Sequence, residues 1–105
     1  MHLVKFLADI ARSHQDKTAY KFGSRTLSFK ELDQLSSGLA ESLITLGIIQ
    51  GDRVGLIIDN SPDFVVCYFG IIKAGAVAVP LDTKYKQLEF EAVFNDCQPV
   101  AVIAE

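Results

Sequence analysis

The sequence predicts an α/β fold: an N-terminal helix and a β-hairpin, then a βαβαβ portion of parallel sheet. Three observations predict it. Short apolar runs at Arg53–Ile58, Ala76–Val79 and "PVAVIAE" lack polar alternation, as strands covered on both faces do. Segments with helical periodicity separate these runs, and strand–helix–strand units build parallel sheets through right-handed crossovers. Glycine, proline and serine punctuate every joint.

Leu3, Phe6, Leu7, Ile10 and Ala11 recur at helical spacing and predict a first helix over about residues 3–13. "TAYKFGSRTLSF" reads as two strands around Gly23-Ser24, a glycine-first pair suited to a type II′ turn. Ser28 and Glu31 have capping-box spacing, so a long helix begins at Phe29 with Leu32, Leu35, Leu39, Leu43 and Leu46 on its buried face. Gly47 ends it.

After the strand Arg53–Ile58, Ser61 is the expected N-cap and Pro62 the first residue of a helix reaching Ala74. That helix is apolar nearly all round, which predicts burial against the sheet on one side and other elements on the opposite side. Gly75 supplies a left-handed stop. Ala76–Val79 follows as a buried strand that Pro80 ends, because proline cannot donate to a central ladder. A polar loop leads to a helix over about 86–96 carrying Leu88, Phe90, Val93 and Phe94, and "PVAVIAE" forms the last strand. No internal repeat, linker or domain boundary interrupts residues 1–105.

Half of the 105 residues are hydrophobic, and this length suits one domain with a modest core. The net charge of −3, with scattered Lys and Arg, excludes an electrostatic nucleic-acid surface. The longest apolar run, Phe64–Ile72, is too short to cross a bilayer, which needs about 20 residues. "MHLVKFLADIARSH" contains Asp9 and lacks a cleavage site, so it does not read as a signal peptide. Cys67 and Cys97 have no CxxC or nearby histidine. They read as reduced core thiols of a soluble, cytoplasmic protein, with a disulfide or metal pair as the sharper alternative.

The candidate chemical groups are few. Ser13, His14 and Asp16 offer a nucleophile, base and carboxylate, but sequence neighbours at a helix end read as an exposed terminus. His2 is a terminal residue with no partner in view. "SSG" at Ser36–Gly38 lies mid-helix, where its N–H groups are committed, and reads as a site of close helix packing. "DNSPD" at Asp59–Asp63 follows a strand and opens a helix, a place where α/β sheets hold ligands. Its two aspartates oppose an anion, so capping is the favoured reading. No GxxxxGK[ST] or GxGxxG is present.

Three ordered stretches carry a resemblance: "LSFKEL" at Leu27–Leu32, "GIIQGDRV" at Gly47–Val54, and "KAGAVAVPLD" at Lys73–Asp82. Their order and spacing resemble the start of the AMP-forming acyl-activating enzymes, which include acyl-CoA synthetases, peptide-synthetase adenylation domains and luciferases. The likeness extends over essentially all 105 residues and implies a partial N-terminal (AMP-binding) domain. The last strand, which no helix follows, adds the expectation of a front section of a larger protein, with the remainder of that parent as its main partner.

The resemblance implies a parent that uses ATP with Mg²⁺ to make an acyl-adenylate and then transfers the acyl group to CoA or a carrier thiol. "AVAVPLD" resembles the acid–CoA ligase branch more than the peptide-synthetase branch. The family's phosphate loop, later acidic and aromatic motifs, and C-terminal lysine do not occur in this sequence. The chain alone is therefore expected to have no catalytic residue, no metal site and no adenylation activity. Within that branch, a basic residue in the loop after Pro-Leu/Ile-Asn/Asp can meet a CoA phosphate. That places Lys84 as the cofactor-binding candidate, with Lys86 as its one basic neighbour. The alternatives are an amino-acid adenylation domain, or a stand-alone non-catalytic module that self-associates through an uncovered sheet edge.

Overall fold

Ser28 sits where the hairpin becomes a helix, and its hydroxyl and backbone both serve the turn. Its Oγ accepts from the Glu31 N–H at 3.1 Å, while its own N–H donates to Glu31 Oε1 at 3.0 Å. This reciprocal capping box satisfies two backbone donors at the helix start. The computed structural model describes residues 2–104, with the side chains of His2 and Leu3 also outside the description. The expectations for Leu3 on the first helix, for His2 and for the strand end at Glu105 lie outside the described residues.

The elements are α1 (His2–Ser13), β1 (Thr18–Phe22), β2 (Arg25–Ser28), α2 (Phe29–Thr45), β3 (Arg53–Ile57), α3 (Pro62–Lys73), β4 (Val77–Pro80), α4 (Gln87–Cys97) and β5 (Ala101–Ala104). Strands β1 and β2 form the expected antiparallel hairpin, and Phe22 pairs with Arg25 across Gly23-Ser24. Gly23 takes φ +60° there, as the first position of a type II′ turn requires. The other strands form a parallel sheet in the order β4-β3-β5.

Helix α3 divides the core in two. Its Val65, Val66 and Phe69 pack with Leu7, Leu27 and Leu32 of α1, β2 and α2. Phe64, Cys67 and Tyr68 pack against the sheet cluster that contains Val54, Leu56 and Ile71. This explains a helix that is apolar nearly all round. Helices α2 and α3 approach closely at Gly70, where a Cβ would come within 2.7 Å of Leu39 Cδ2.

Three expectations need correction. Leu35 and Leu46 are exposed, at 54% and 81%, while Leu32, Ser36, Ala40 and Leu43 form the buried stripe of α2. The stripe follows the line of approach to α3. Ser36 can be buried because its hydroxyl donates to the Leu32 carbonyl at 2.6 Å. Leu46 is already the C-cap, where the chain leaves the helix.

Strand β4 is an edge strand, and Val77 is about half exposed. Pro80 lies within β4, opposite Leu56, because an edge strand tolerates a missing donor. The next N–H, of Leu81, resumes the ladder to the Leu56 carbonyl at 2.9 Å. The central strand is β3, whose Val54, Gly55 and Leu56 are buried.

Cys97 is not a core residue. It is half-buried at the end of α4, a helix with no buried residue among those described, and its carbonyl accepts from Arg53 Nη1 at 2.9 Å.

Candidate functional site at the carboxyl edge of the sheet

In a parallel sheet the loops leaving the carboxyl ends of the strands are the places that can gather side chains around a ligand. Two such loops are described here. Beyond β3, Ile58 is buried and Asp59, Asn60 and Ser61 emerge as a polar turn. Ser61 Oγ accepts from the Phe64 N–H at 3.2 Å and caps α3, with Pro62 at its first position. Asn60 Oδ1 accepts from the Tyr20 hydroxyl at 2.7 Å, which ties the turn to the hairpin.

Beyond β4, Leu81 turns inward and is buried, whereas Asp82, Thr83 and Lys84 are exposed. Asp82 Oδ1 accepts from the Lys84 N–H at 2.8 Å, and its carbonyl accepts from the Tyr85 N–H at 3.1 Å. This side-chain-closed turn fixes the local backbone. Thr83 Oγ1 donates to Asp59 Oδ1 at 2.5 Å and joins the two loops. The Tyr85 and Phe90 rings meet edge to face at 5.5 Å and connect the loop to α4. Among the described residues, the Lys84 ammonium takes part in no ion pair.

This edge fits phosphate unevenly. The start of α3 has Asp59 and Asp63 beside it, and Asp59, Asn60 and Ser61 already accept bonds from protein donors. These groups do not fit the triphosphate of ATP. Among the described residues no three His, Cys, Asp or Glu side chains come together to hold a metal ion. The exposed ammonium of Lys84 does fit an anionic group.

The other candidates resolve as structure. Ser13 Oγ lies 3.0 Å from His14 Nδ1 but donates to the Asp9 carbonyl at 2.8 Å, and all three of Ser13, His14 and Asp16 are exposed. No catalytic triad is assembled. In "SSG", Ser36 is buried, but a Cβ on Gly38 would meet nothing within 4 Å, so close packing explains the serine and not the glycine.

Ser37 belongs to a cluster that sequence reasoning did not find. Lys73 Nζ, with its side chain 8% exposed, donates to Asp33 Oδ1 at 2.7 Å, to the Asp33 carbonyl at 3.0 Å and to Ser37 Oγ at 2.9 Å. These bonds fasten the end of α3 to the middle of α2. The spacing of Asp33 and Ser37 on one helix face was its only local signal. Among the described residues, two groups shift from their usual range. The bonds to Ser28, the backbone one foremost, lower the Glu31 carboxyl. Burial, and then the charge of Asp63, pushes the Cys67 thiol up.

A parallel sheet with polar loops at its carboxyl edge and helices between its strands is the frame of an α/β ligand-binding enzyme domain. The chain belongs to the AMP-binding enzyme family, whose model matches residues 7–105. It is 39% identical over 85% of its length to phosphinothricin tripeptide synthetase PhsC of Streptomyces viridochromogenes, of which it spans 8%. It is also 36% identical over 97% of its length to the crotonobetaine/carnitine–CoA ligase of Proteus mirabilis, of which it spans 21%. The anthranilate CoA ligase AuaEII, solved with anthranoyl-AMP, superposes on 96% of the chain with a TM-score of 0.89 and 31% identity, and the chain covers 20% of it. The relatives thus include both acid–CoA ligases and peptide synthetases, and the chain spans between 8% and 21% of each of these three. Among the described residues no helix is long and apolar enough to cross a membrane.

Proposed function

We propose that this chain is the opening segment of the N-terminal domain of an acid–CoA ligase, and that it acts in the cytoplasm. In that reading the parent joins a carboxylate to the α-phosphate of ATP, releasing pyrophosphate, and then passes the acyl group to the CoA sulfur, releasing AMP. ATP and its Mg²⁺ are handled by parts of the parent beyond these residues, because the groups on this edge do not fit them. The residues of this chain build the sheet, hold the turn after β3 and present Lys84 to a phosphate of CoA.

The observation that carries the reading is Lys84 itself. It is exposed on the loop leaving β4, its ammonium is in no ion pair among the described residues, and its N–H is fixed by Asp82. The likeness to CoA ligases over nearly the whole chain supports it. The strong match to a tripeptide synthetase favours a second reading, an amino-acid adenylation domain that hands its product to a carrier thiol.

The test is Lys84→Ala in the full-length enzyme. One exposed charge-assisted contact contributes about 1 kcal/mol, so the KM for CoA should rise roughly fivefold while acid-dependent pyrophosphate exchange is unchanged. Added salt should shrink the difference. Unchanged CoA kinetics at low salt, in both Lys84→Ala and the Lys84→Ala/Lys86→Ala double variant, would reduce Lys84 to a solvated loop residue, and a full-length enzyme whose product formation does not respond to CoA would reject the CoA reading.

A further inference from the structure

We infer that Thr83 and Asp59 are a positioning pair: the hydrogen bond between them holds the loop after β4 against the turn after β3, so that Lys84 faces its ligand already oriented. This rests on the CoA reading proposed above. The loop carries three exposed residues in succession, and Leu81 is its last buried anchor. The bond from Asp82 to the Lys84 N–H shapes the turn but attaches it to nothing else. Among the described residues, the Thr83 hydroxyl is the one side chain of Asp82, Thr83 and Lys84 that bonds to another strand's loop.

Its acceptor is itself immobilised. Asp59 lies between Ile58, buried in the sheet core, and Asn60, which the Tyr20 hydroxyl grips at 2.7 Å. One residue further, Ser61 caps α3. The β3–α3 turn is therefore fastened from the hairpin, the sheet and the helix, and Thr83 attaches the Lys84 loop to that fixed point. A lysine side chain carries much rotamer freedom, and a backbone fixed beforehand lowers the ordering cost that ligand binding must meet.

The experiment compares Thr83→Val, which keeps shape and removes the donor, with Thr83→Ser, which keeps the donor, in the full-length enzyme beside Lys84→Ala. Thr83→Val should raise the KM for CoA about two- to fivefold with kcat and pyrophosphate exchange unchanged, the size expected for one exposed hydrogen bond. Thr83→Ser should restore the wild-type value, and Thr83→Val added to Lys84→Ala should raise KM no further, because both act through one contact. A raised KM in Lys84→Ala beside a wild-type KM in Thr83→Val overturns the positioning role alone. Equal effects of the valine and serine variants overturn it as well, a silent Lys84→Ala overturns it together with the phosphate contact of Lys84, and an enzyme indifferent to CoA overturns the CoA reading on which it rests.

Discussion

Replacing Lys73 by methionine keeps the aliphatic stem between α2 and α3 and removes one ammonium that makes three bonds. Its side chain is 8% exposed and that of Asp33 is 33% exposed. Breaking a fully buried ion pair costs about 3–5 kcal/mol, most of it from the charge left without a partner. Asp33 can rehydrate through its exposed third, which lowers the expected cost to about 2–3 kcal/mol. For a domain with about 5–15 kcal/mol in total, that is a large fraction.

Urea unfolding of the 105-residue chain at pH 7, followed by circular dichroism, should show the midpoint falling by about 1–2 M at an unchanged slope. Asp33→Leu combined with Lys73→Met should recover part of the loss, since no charge is then stranded, and the cycle should give a coupling of about 1–3 kcal/mol. A Lys73→Met midpoint within about 0.3 M of wild type, with no coupling to Asp33, would refute the clamp.

Two further outcomes are expected. Because its partners lower the Glu31 carboxyl below its ordinary value of 4.5, that carboxylate stabilises the fold above pH 4.5, and the contribution is lost as pH falls through the folded-state value. The stability gap between wild type and Glu31→Gln should therefore be present at pH 7 and close under acid, and a gap that stays flat from pH 7 to pH 3 would contradict this. The outer edge of β5, with the exposed Val100 just before it, the exposed Val102 within it and no charge within Ala101–Ala104, should make the isolated 105-residue chain self-associate. Light scattering that shows a monomer up to millimolar concentration would refute that expectation.

What could be read from the sequence was what neighbouring residues settle between themselves. Ser28 with Glu31, Ser61 with Pro62, and Gly75 after Lys73-Ala74 each mark an element boundary through contacts within a few residues, and each stands where its pattern put it. The face of α2 was harder. Leucine spacing alone does not say along which line α3 will lie, and the close approach at Gly70 moved burial from Leu35 to Ser36. Strand β4 had the apolar content of a buried strand, but its place at the edge depends on which strand β5 joins.

The site was legible to the extent that Lys84 could be placed on a polar loop after a strand. The bonds that shape that loop were not. Thr83 to Asp59 and Tyr20 to Asn60 connect residues 24 and 40 positions apart, and Lys73 to Asp33 connects residues 40 apart. Such pairs leave no periodic trace, because each exists only once the helices and strands have packed.

The central claim is that these residues supply scaffold and one ligand contact, while the adenylating groups lie elsewhere in the parent. Acid-dependent exchange of labelled pyrophosphate into ATP measures adenylation directly. Assayed with a panel of carboxylic and amino acids, the full-length enzyme should exchange, and the purified 105-residue chain should stay at the level of its heat-inactivated control. Exchange by the 105-residue chain above that control would contradict the account.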